Sequence, residues 1–341
     1  MRAIVLSHLG GPEALEYREA GEPQIGPGEV LVRVRAEGVC GRDLIDRRGG
    51  FRGIKLPVIL GHEFAGEIVR AAPGVTEFAP GARVSNLLRL GCGACGSCLR
   101  GETPICERAW QSFGQTRDGG YAEYVSAPVT TLVEIPSAVS DVEAASVACT
   151  FGVALRALRT VGKVARGERL LITGASGGVG IAAVQIAKAM GAEVIAASGS
   201  EKKRAALVEA GADEVVIDTE GHLHEAVRRI VPRGVDAALE LTGSPTFSSA
   251  LRSLTNGGRL VLVGNILAES IKFNPGAVIL FGYQILGSAG CTRADLEEAL
   301  AMVAAKTVRV HIQATLPLER AAEAHQLLEG RAATGRIILV P

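Results

Sequence analysis

Residues 170–190 read LLITGASGGVGIAAVQIAKAM. An apolar strand, Leu170–Thr173, runs straight into a glycine-rich turn, and the turn runs into a helix, Ile181–Met190. Glycines at such a junction let the backbone approach a pyrophosphate, and the free amides at the helix N-terminus meet its charge. Strand, turn and helix follow in the order a dinucleotide site requires. Gly174, Ser176, Gly177, Gly178, Val179 and Gly180 are therefore the candidate phosphate-binding residues. The next strand, Glu193–Ala197, would end in Asp or Glu if it bound the adenine ribose hydroxyls. It ends instead in Ala196-Ala197-Ser198-Gly199-Ser200, with no acid before Glu201 and with Lys203 and Arg204 following. Ser198, Ser200 and Lys203 suit a 2′-phosphate, so NADP(H) is favoured and NAD(H) stays open. The competing reading makes Ser200 a helix cap and turns Asp218, after the third strand, toward the ribose.

Outward from this turn, apolar strands alternate with helices: Glu214–Ile217, Asp236–Glu240, Arg259–Val263 and Gln284–Ser288. That alternation predicts an α/β fold with a doubly wound parallel sheet of Rossmann type over residues 151–290. Gly264 and Asn265 beyond the fifth strand, and Ser288 at the end of the sixth, are further expected cofactor contacts. Residues 1–150 have another texture, with short β runs (Ala3–Leu6, Val30–Ala36, Gly66–Arg70, Ala82–Ser85, Tyr121–Ser126) broken by turn residues. The tail, 291–341, carries helices near Ala294–Ala305 and Leu318–Glu329 and a strand, Gly335–Val340. A chain of 341 residues is long enough for two such cores.

Four of the seven cysteines, Cys92, Cys95, Cys98 and Cys106, fall within fifteen residues, about 91–107, among Gly91, Gly93 and Gly96. Four thiolates from one loop close a tetrahedral structural zinc site with no open position. Disulfides are the alternative, but the opening residues Met1-Arg-Ala-Ile-Val-Leu-Ser7 lack the order of a signal peptide. No charge-free apolar run reaches membrane-spanning length either, so a cytoplasmic protein is expected. Lys plus Arg equals Asp plus Glu at 36 each, which removes the electrostatic basis for nucleic-acid or anionic-membrane binding. A small-molecule substrate is the expected partner. A second zinc, catalytic in kind, takes three protein ligands and leaves one position exchangeable. Cys40, His62 and Cys149 supply such a set, though each alone reads more readily as a core residue than as a ligand.

Gly61-His62-Glu63, the four-cysteine clip, Gly119-Gly-Tyr-Ala-Glu-Tyr124, the segment ACTFGVALRAL around Cys149 and the glycine-rich turn together resemble the zinc-containing medium-chain dehydrogenase/reductase superfamily. The resemblance covers essentially the whole chain. It implies a GroES-like β-barrel holding both zincs, with Cys40, His62 and Cys149 as ligands and Glu63 as a carboxylate that can ligate transiently. Asp43 would orient His62, and Arg336 in the returning tail would contact the cofactor. One position departs from the alcohol dehydrogenases: the second residue after the first zinc cysteine is Arg42, not the Ser or Thr whose hydroxyl removes the alcohol proton. With RDLI, PVILGHE and GSPTF, this makes the chain most similar to the subgroup containing acryloyl-CoA reductase. The implied activity is alcohol/carbonyl hydride transfer, with enoyl-CoA reduction as the alternative and a non-catalytic nucleotide-binding protein as a third reading. Arg42 would pair with a phosphate of a CoA-like substrate or form a structural salt bridge. Leu88, Trp110 and Val153 are candidate apolar walls of the substrate pocket. The apolar run Val278–Tyr283 and the edge strand Gln284–Ser288 imply a homodimer or homotetramer.

Overall fold

Six largely apolar strands pair in parallel in the order Glu214–Ile217, Glu193–Ser198, Arg169–Ile172, Val235–Glu240, Leu254–Leu262, Gln284–Gly287. The chain winds outward from Arg169–Ile172 in one direction and then reverses to Val235–Glu240 beside it. That reversal opens a crevice at the carboxyl ends of the two strands, the usual ligand position in such sheets. In this computed structural model, which describes every residue except Arg52, Ala109, Trp110 and Ala332, the chain divides into two compact units. Trp110 thus lies outside the described residues. The parallel sheet belongs to the unit made of Val153–Ala289 and Thr307–His311. Its core joins Leu171, Ile195, Ala238 and Leu260 from the strands to Leu223, Val227 and Phe247 from the covering helices. The fifth strand starts five residues before its expected position, because a bulge between Val235 and Ala237 lets it pair at Leu254 as well as at Arg259.

The other unit comprises Met1–Gly152, Gly290–Lys306 and Ile312–Pro341. Its long strand Glu29–Val39 is central, pairing antiparallel with Phe64–Ala71, with Tyr124–Pro128 and with the tail strand Arg336–Val340. Ile312–Pro317 lies outside the tail strand, and Arg83–Asn86 and Leu132–Glu134 complete the opposite edge. A three-stranded sheet of Leu15–Glu19, Arg2–Leu6 and Val58–Ile59 stands apart. Two apolar clusters fill the unit, one around Val30, Val32, Phe64, Ile68 and Phe113, the other around Ile4, Leu6, Leu60, Tyr121, Ile337 and Leu339. This irregular barrel presents the turn after Glu29–Val39 and the residues preceding Phe64–Ala71 side by side.

Two helices and one glycine turn place functional side chains. Gly41–Arg47 is closed by a capping box in which Asp43 accepts from the Cys40 amide at 2.9 Å. Ser140 and Glu143 form a second capping box that starts the helix Asp141–Val161. By length and composition that helix could cross a membrane, but 83% of its apolar window is buried in the fold, as a core helix is. It widens into a π turn over Ala148–Gly152, and Cys149 lies in that turn. Finally, Gly61 holds φ +94°, and a Cβ there would stand 2.5 Å from the Tyr121 ring. Only glycine lets the chain turn so tightly before His62.

Candidate metal centres and dinucleotide turn

In the clip, the Cys92 and Cys98 sulfurs stand 4.0 Å apart and those of Cys95 and Cys106 3.9 Å apart. A tetrahedron with sulfur arms of ~2.3 Å has edges of about 3.8 Å, so these spacings fit one shared zinc and are far too long for disulfides. Backbone amides point at the sulfurs: Cys92 N to Cys106 at 3.3 Å, Cys95 N to Cys92 at 3.3 Å, and Cys98 N and Glu107 N to Cys95 at 3.5 Å. The amides of Glu107 and Cys98 outweigh burial at Cys95 and lower its thiol's proton affinity. Glu107 also accepts from the Ser97 amide and hydroxyl at 3.1 and 2.8 Å, tying the end of the loop to its short helix.

The second cluster is assembled from distant chain positions. The ligand atoms of Cys40, His62 and Glu63 lie within 4.8 Å of one another. Cys149 stands at the edge of this set, its thiol against the His62 ring and within the field of Glu63 and Cys40. Burial first, then the Glu63 carboxylate, pushes that thiol up to about 11, so a bound cation is what would hold it as thiolate. His62 Nδ1 donates to Asp43 Oδ1 at 2.9 Å, which leaves Nε2 facing the cluster. Nε2 is buried with no hydrogen-bond partner, and so is Glu63 Oε1, 3.7 Å away. Two orphaned polar atoms aimed at each other beside two thiols are what a soft divalent ion satisfies. The other Glu63 oxygen, Oε2, is paired with Arg336 at 2.5 Å. Arg336, expected at the cofactor, is thus found beside the metal cluster in its own unit. Burial raises the Asp43 carboxyl, but His62, His325 and Arg42 prevail and bring it down to about 2.

Arg42 is held by three acceptors: Asp46 Oδ2 at 2.9 Å, the Phe113 carbonyl at 2.9 Å and Ser112 Oγ at 3.4 Å. Of its two expected roles the structural salt bridge is therefore present. Its charge still reaches the cluster and opposes protonation of His62. Leu88 lines a small cavity with Arg89 and Cys291 beside the clip.

In the other unit, the helix Gly178–Ala189 starts at Gly177 with no side-chain cap, so its first amides point into the turn. A Cβ on Gly180 would lie 2.4 Å from the Ala175 carbonyl, so the helix can pack on the turn only with glycine there. Ser176 and Ser198 hydroxyls meet at 3.3 Å, joining turn and second strand. Asp218, the acid that could have faced a ribose, takes the amides of Glu220, Gly221, His222 and Leu223 at 2.8–3.2 Å and is spent on starting a helix. Ser200 makes no capping bond, and Arg204 forks onto Glu201 and the Val215 carbonyl. At the later strand ends, the Asn265 amide donates to the Glu269 carbonyl at 3.1 Å, and Gly264 packs on the Leu241 carbonyl. Ser288 Oγ is buried without a partner, as a hydroxyl awaiting a ligand would be.

Sequence reasoning missed three residues. Tyr121 lies inside a quoted motif, but nothing marked its hydroxyl; His325 and Arg47 read as ordinary helix residues. All three are buried and linked to Asp43, with Tyr121 Oη at 3.3 Å from Asp43 and 3.0 Å from His325.

A dinucleotide turn in one unit and a cysteine–histidine–carboxylate cluster in the other define a class, the metal-bearing dehydrogenases built from two domains. Residues 26–137 match the alcohol dehydrogenase GroES-like domain and residues 178–305 match zinc-binding dehydrogenase. The chain is 37% identical to the acryloyl-coenzyme A reductase of Metallosphaera sedula over 340 residues, 99% of each chain. It is equally 37% identical to an alcohol dehydrogenase of Geobacillus stearothermophilus over 342 residues, 99% of each. The crystal structure of AibC superposes with TM-score 0.94 at 44% identity, covering all of this chain and 96% of that one. The chain belongs to the zinc-type alcohol dehydrogenase family of medium-chain oxidoreductases, which work with zinc and a nicotinamide cofactor.

One pH dependence follows from the geometry. Burial first, then Arg47, lowers His325 from 6.5 to about 4. Between pH 6.5 and 4 the unfolded ring binds a proton that the folded ring refuses, so this residue makes stability rise with pH across that window. Relative to His325→Gln, the parent should lose about 3 kcal/mol of unfolding free energy on going from pH 6.5 to 4. Urea titrations at both pH values measure this, and parallel losses in the two proteins would contradict it.

Proposed function

We propose that the protein is an NADPH-preferring reductase with two zinc ions per chain, acting on a carbon–carbon double bond conjugated to a thioester. The observation that carries the choice of bond is Arg42. Oxidising an alcohol requires a group near the metal that accepts and passes on the hydroxyl proton, and a guanidinium accepts nothing. Here it is also immobilised by Asp46, Ser112 and the Phe113 carbonyl. Reducing a conjugated double bond instead delivers the proton to the α carbon and not to a metal-bound oxygen, so it needs no hydroxyl relay at position 42. The substrate's β carbon gains hydride, its α carbon gains a proton from solvent, and NADPH becomes NADP⁺. Alcohol–carbonyl interconversion is the second reading, supported by the equal likeness to an alcohol dehydrogenase.

Cys40, His62 and Cys149 would hold one zinc, with Glu63 able to join them, and the clip would hold the other. Bound there, the first zinc supplies Lewis acidity toward the substrate oxygen, and the nicotinamide supplies the hydride. Asp43 fixes the His62 ring so that Nε2 faces the metal. Arg336 neutralises one Glu63 oxygen and leaves the other to the cluster. The open amides of Gly178, Val179 and Gly180 would receive the pyrophosphate, and Ser198, Ser200 and Lys203 the 2′-phosphate. The spent Asp218 supports that cofactor choice, since the acid that could have faced the ribose hydroxyls is taken up by backbone amides. A cytoplasmic setting belongs to this reading, since both zinc sites need their cysteines kept reduced.

The parallel sheet ends at Gln284–Gly287, and the adjoining helix Pro275–Phe281 buries none of its residues. Ile279 and Leu280 there are 80% and 76% exposed. An open edge beside such a patch is what a second copy of the chain would cover, giving a dimer at least.

Assays of enoyl-CoA thioesters, aldehydes and alcohols with both cofactors decide the reaction. Thioesters should be turned over fastest and with the lower KM for NADPH, and Lys203→Ala should weaken NADPH by about tenfold to a hundredfold while sparing NADH. Fast alcohol oxidation with inert thioesters would establish the second reading. Metal analysis should return two zincs; Cys95→Ser should lose one and destabilise the clip, and Cys40→Ser should lose the other and abolish turnover in a folded protein. Light scattering at micromolar concentration should exceed the monomer mass of 35.3 kDa at least twofold, and a monomer would exclude the edge interface.

A further inference from the structure

Asp43 is the meeting point of a buried polar chain that the chemistry above leaves unused. Oδ1 accepts from His62 Nδ1 at 2.9 Å, while Oδ2 accepts from the Cys40 amide at 2.9 Å and stands 3.3 Å from Tyr121 Oη. Tyr121 Oη lies 3.0 Å from His325 Nε2, and His325 Nδ1 lies 3.3 Å from Arg47 Nη1. Arg47, fully buried, also donates to the Gly10 carbonyl at 3.2 Å and pairs with Glu329, a carboxylate shared with the exposed Arg48. The path therefore runs from the metal cluster to the surface of its own unit.

Arg47 dictates the direction of every hydrogen in it. A guanidinium has donors only, so His325 Nδ1 must be the acceptor, and the proton of the neutral ring sits on Nε2. Nε2–H then donates to Tyr121 Oη, which leaves the phenol proton to point at Asp43 Oδ2. Each dipole presents its positive end toward Asp43, so the carboxylate is held in charge and in orientation from the side away from His62. We propose that His325 is a positioning residue that acts through Tyr121 on Asp43, and so sets how firmly His62 grips the metal. The inference rests on Cys40, His62 and Cys149 being zinc ligands. Partners one step removed from a ligating histidine are known to govern metal affinity; here the control extends two side chains further.

The test is zinc release from the purified two-zinc protein into excess chelator, followed for both sites, with the clip as internal reference because no member of the path touches it. His325→Leu and Tyr121→Phe should each speed release from the Cys40/His62/Cys149 site by about tenfold, with the clip's rate unchanged. His325→Gln should restore most of the parent rate, since its amide can accept from Arg47 through oxygen and donate to Tyr121 through nitrogen. Tyr121→Phe keeps the ring in its apolar surroundings and decides the matter alone should His325→Leu fail to fold. Equal acceleration at both sites, or a parent-like rate in Tyr121→Phe, overturns the inference while leaving the ligand assignment standing. A parent that binds one zinc overturns the ligand assignment, and this inference with it.

Discussion

Three carboxylates, Glu37, Asp43 and Glu63, are buried together in the unit that holds the metal cluster, and their burial is the constraint around which that unit is arranged. An uncompensated carboxylate in such a setting costs several kcal/mol, so each must be neutralised, paired or protonated. The three take different courses. Asp43 keeps its charge because His62 and a set of donors surround it. Glu63 is matched by the buried Arg336. Glu37, which accepts the Glu63 amide at 2.8 Å, has no cation in contact among the described residues, and burial pushes its carboxyl well above the usual range. Glu37 and Asp43, two chemically similar groups, are thereby driven in opposite directions within one cluster, which is how a protein separates roles among like residues.

The same arrangement explains why the unit needs its tail. Arg336 reaches Glu63 because the strand Arg336–Val340 inserts between Glu29–Val39 and Ile312–Pro317. Tyr121 and His325 meet edge to face in the second apolar cluster, at 5.8 Å between ring centres, so the hydrophobic packing that seats the tail helix also sets the polar path. Packing and electrostatics are one design there.

What could be read from the sequence follows the physics of burial. Most of the parallel strands were legible to within a residue or two because both faces are covered and the sequence is largely apolar, as in Leu170-Leu-Ile, whereas the fifth begins five residues early across its bulge. Leu15–Glu19 and Ile312–Pro317 escaped notice because they are edge strands, whose exposed charged and polar residues leave little alternation. The helix Asp141–Val161 was not read at all, since its π turns break the 3.6-residue period. Among site residues, Cys40, His62 and Glu63 were legible through a family pattern, as was Asp43 as their partner. Tyr121 and His325 were not, since their hydrogen bond joins positions 204 residues apart and neither neighbourhood carries a local trace of it.

The central seat of the tail strand also fixes an order of events during synthesis. Ile337 pairs with Val39 across a loop of about 300 residues, so the barrel sheet stays incomplete until nearly the whole chain has left the ribosome. The parallel-sheet unit, apart from Thr307–His311, is by then already made and free to fold. A chain cut short by translational arrest would carry a finished nucleotide-binding sheet and a metal cluster lacking the counter-charge for Glu63. The charge balance of the buried cluster is in this way coupled to the arrival of the tail strand.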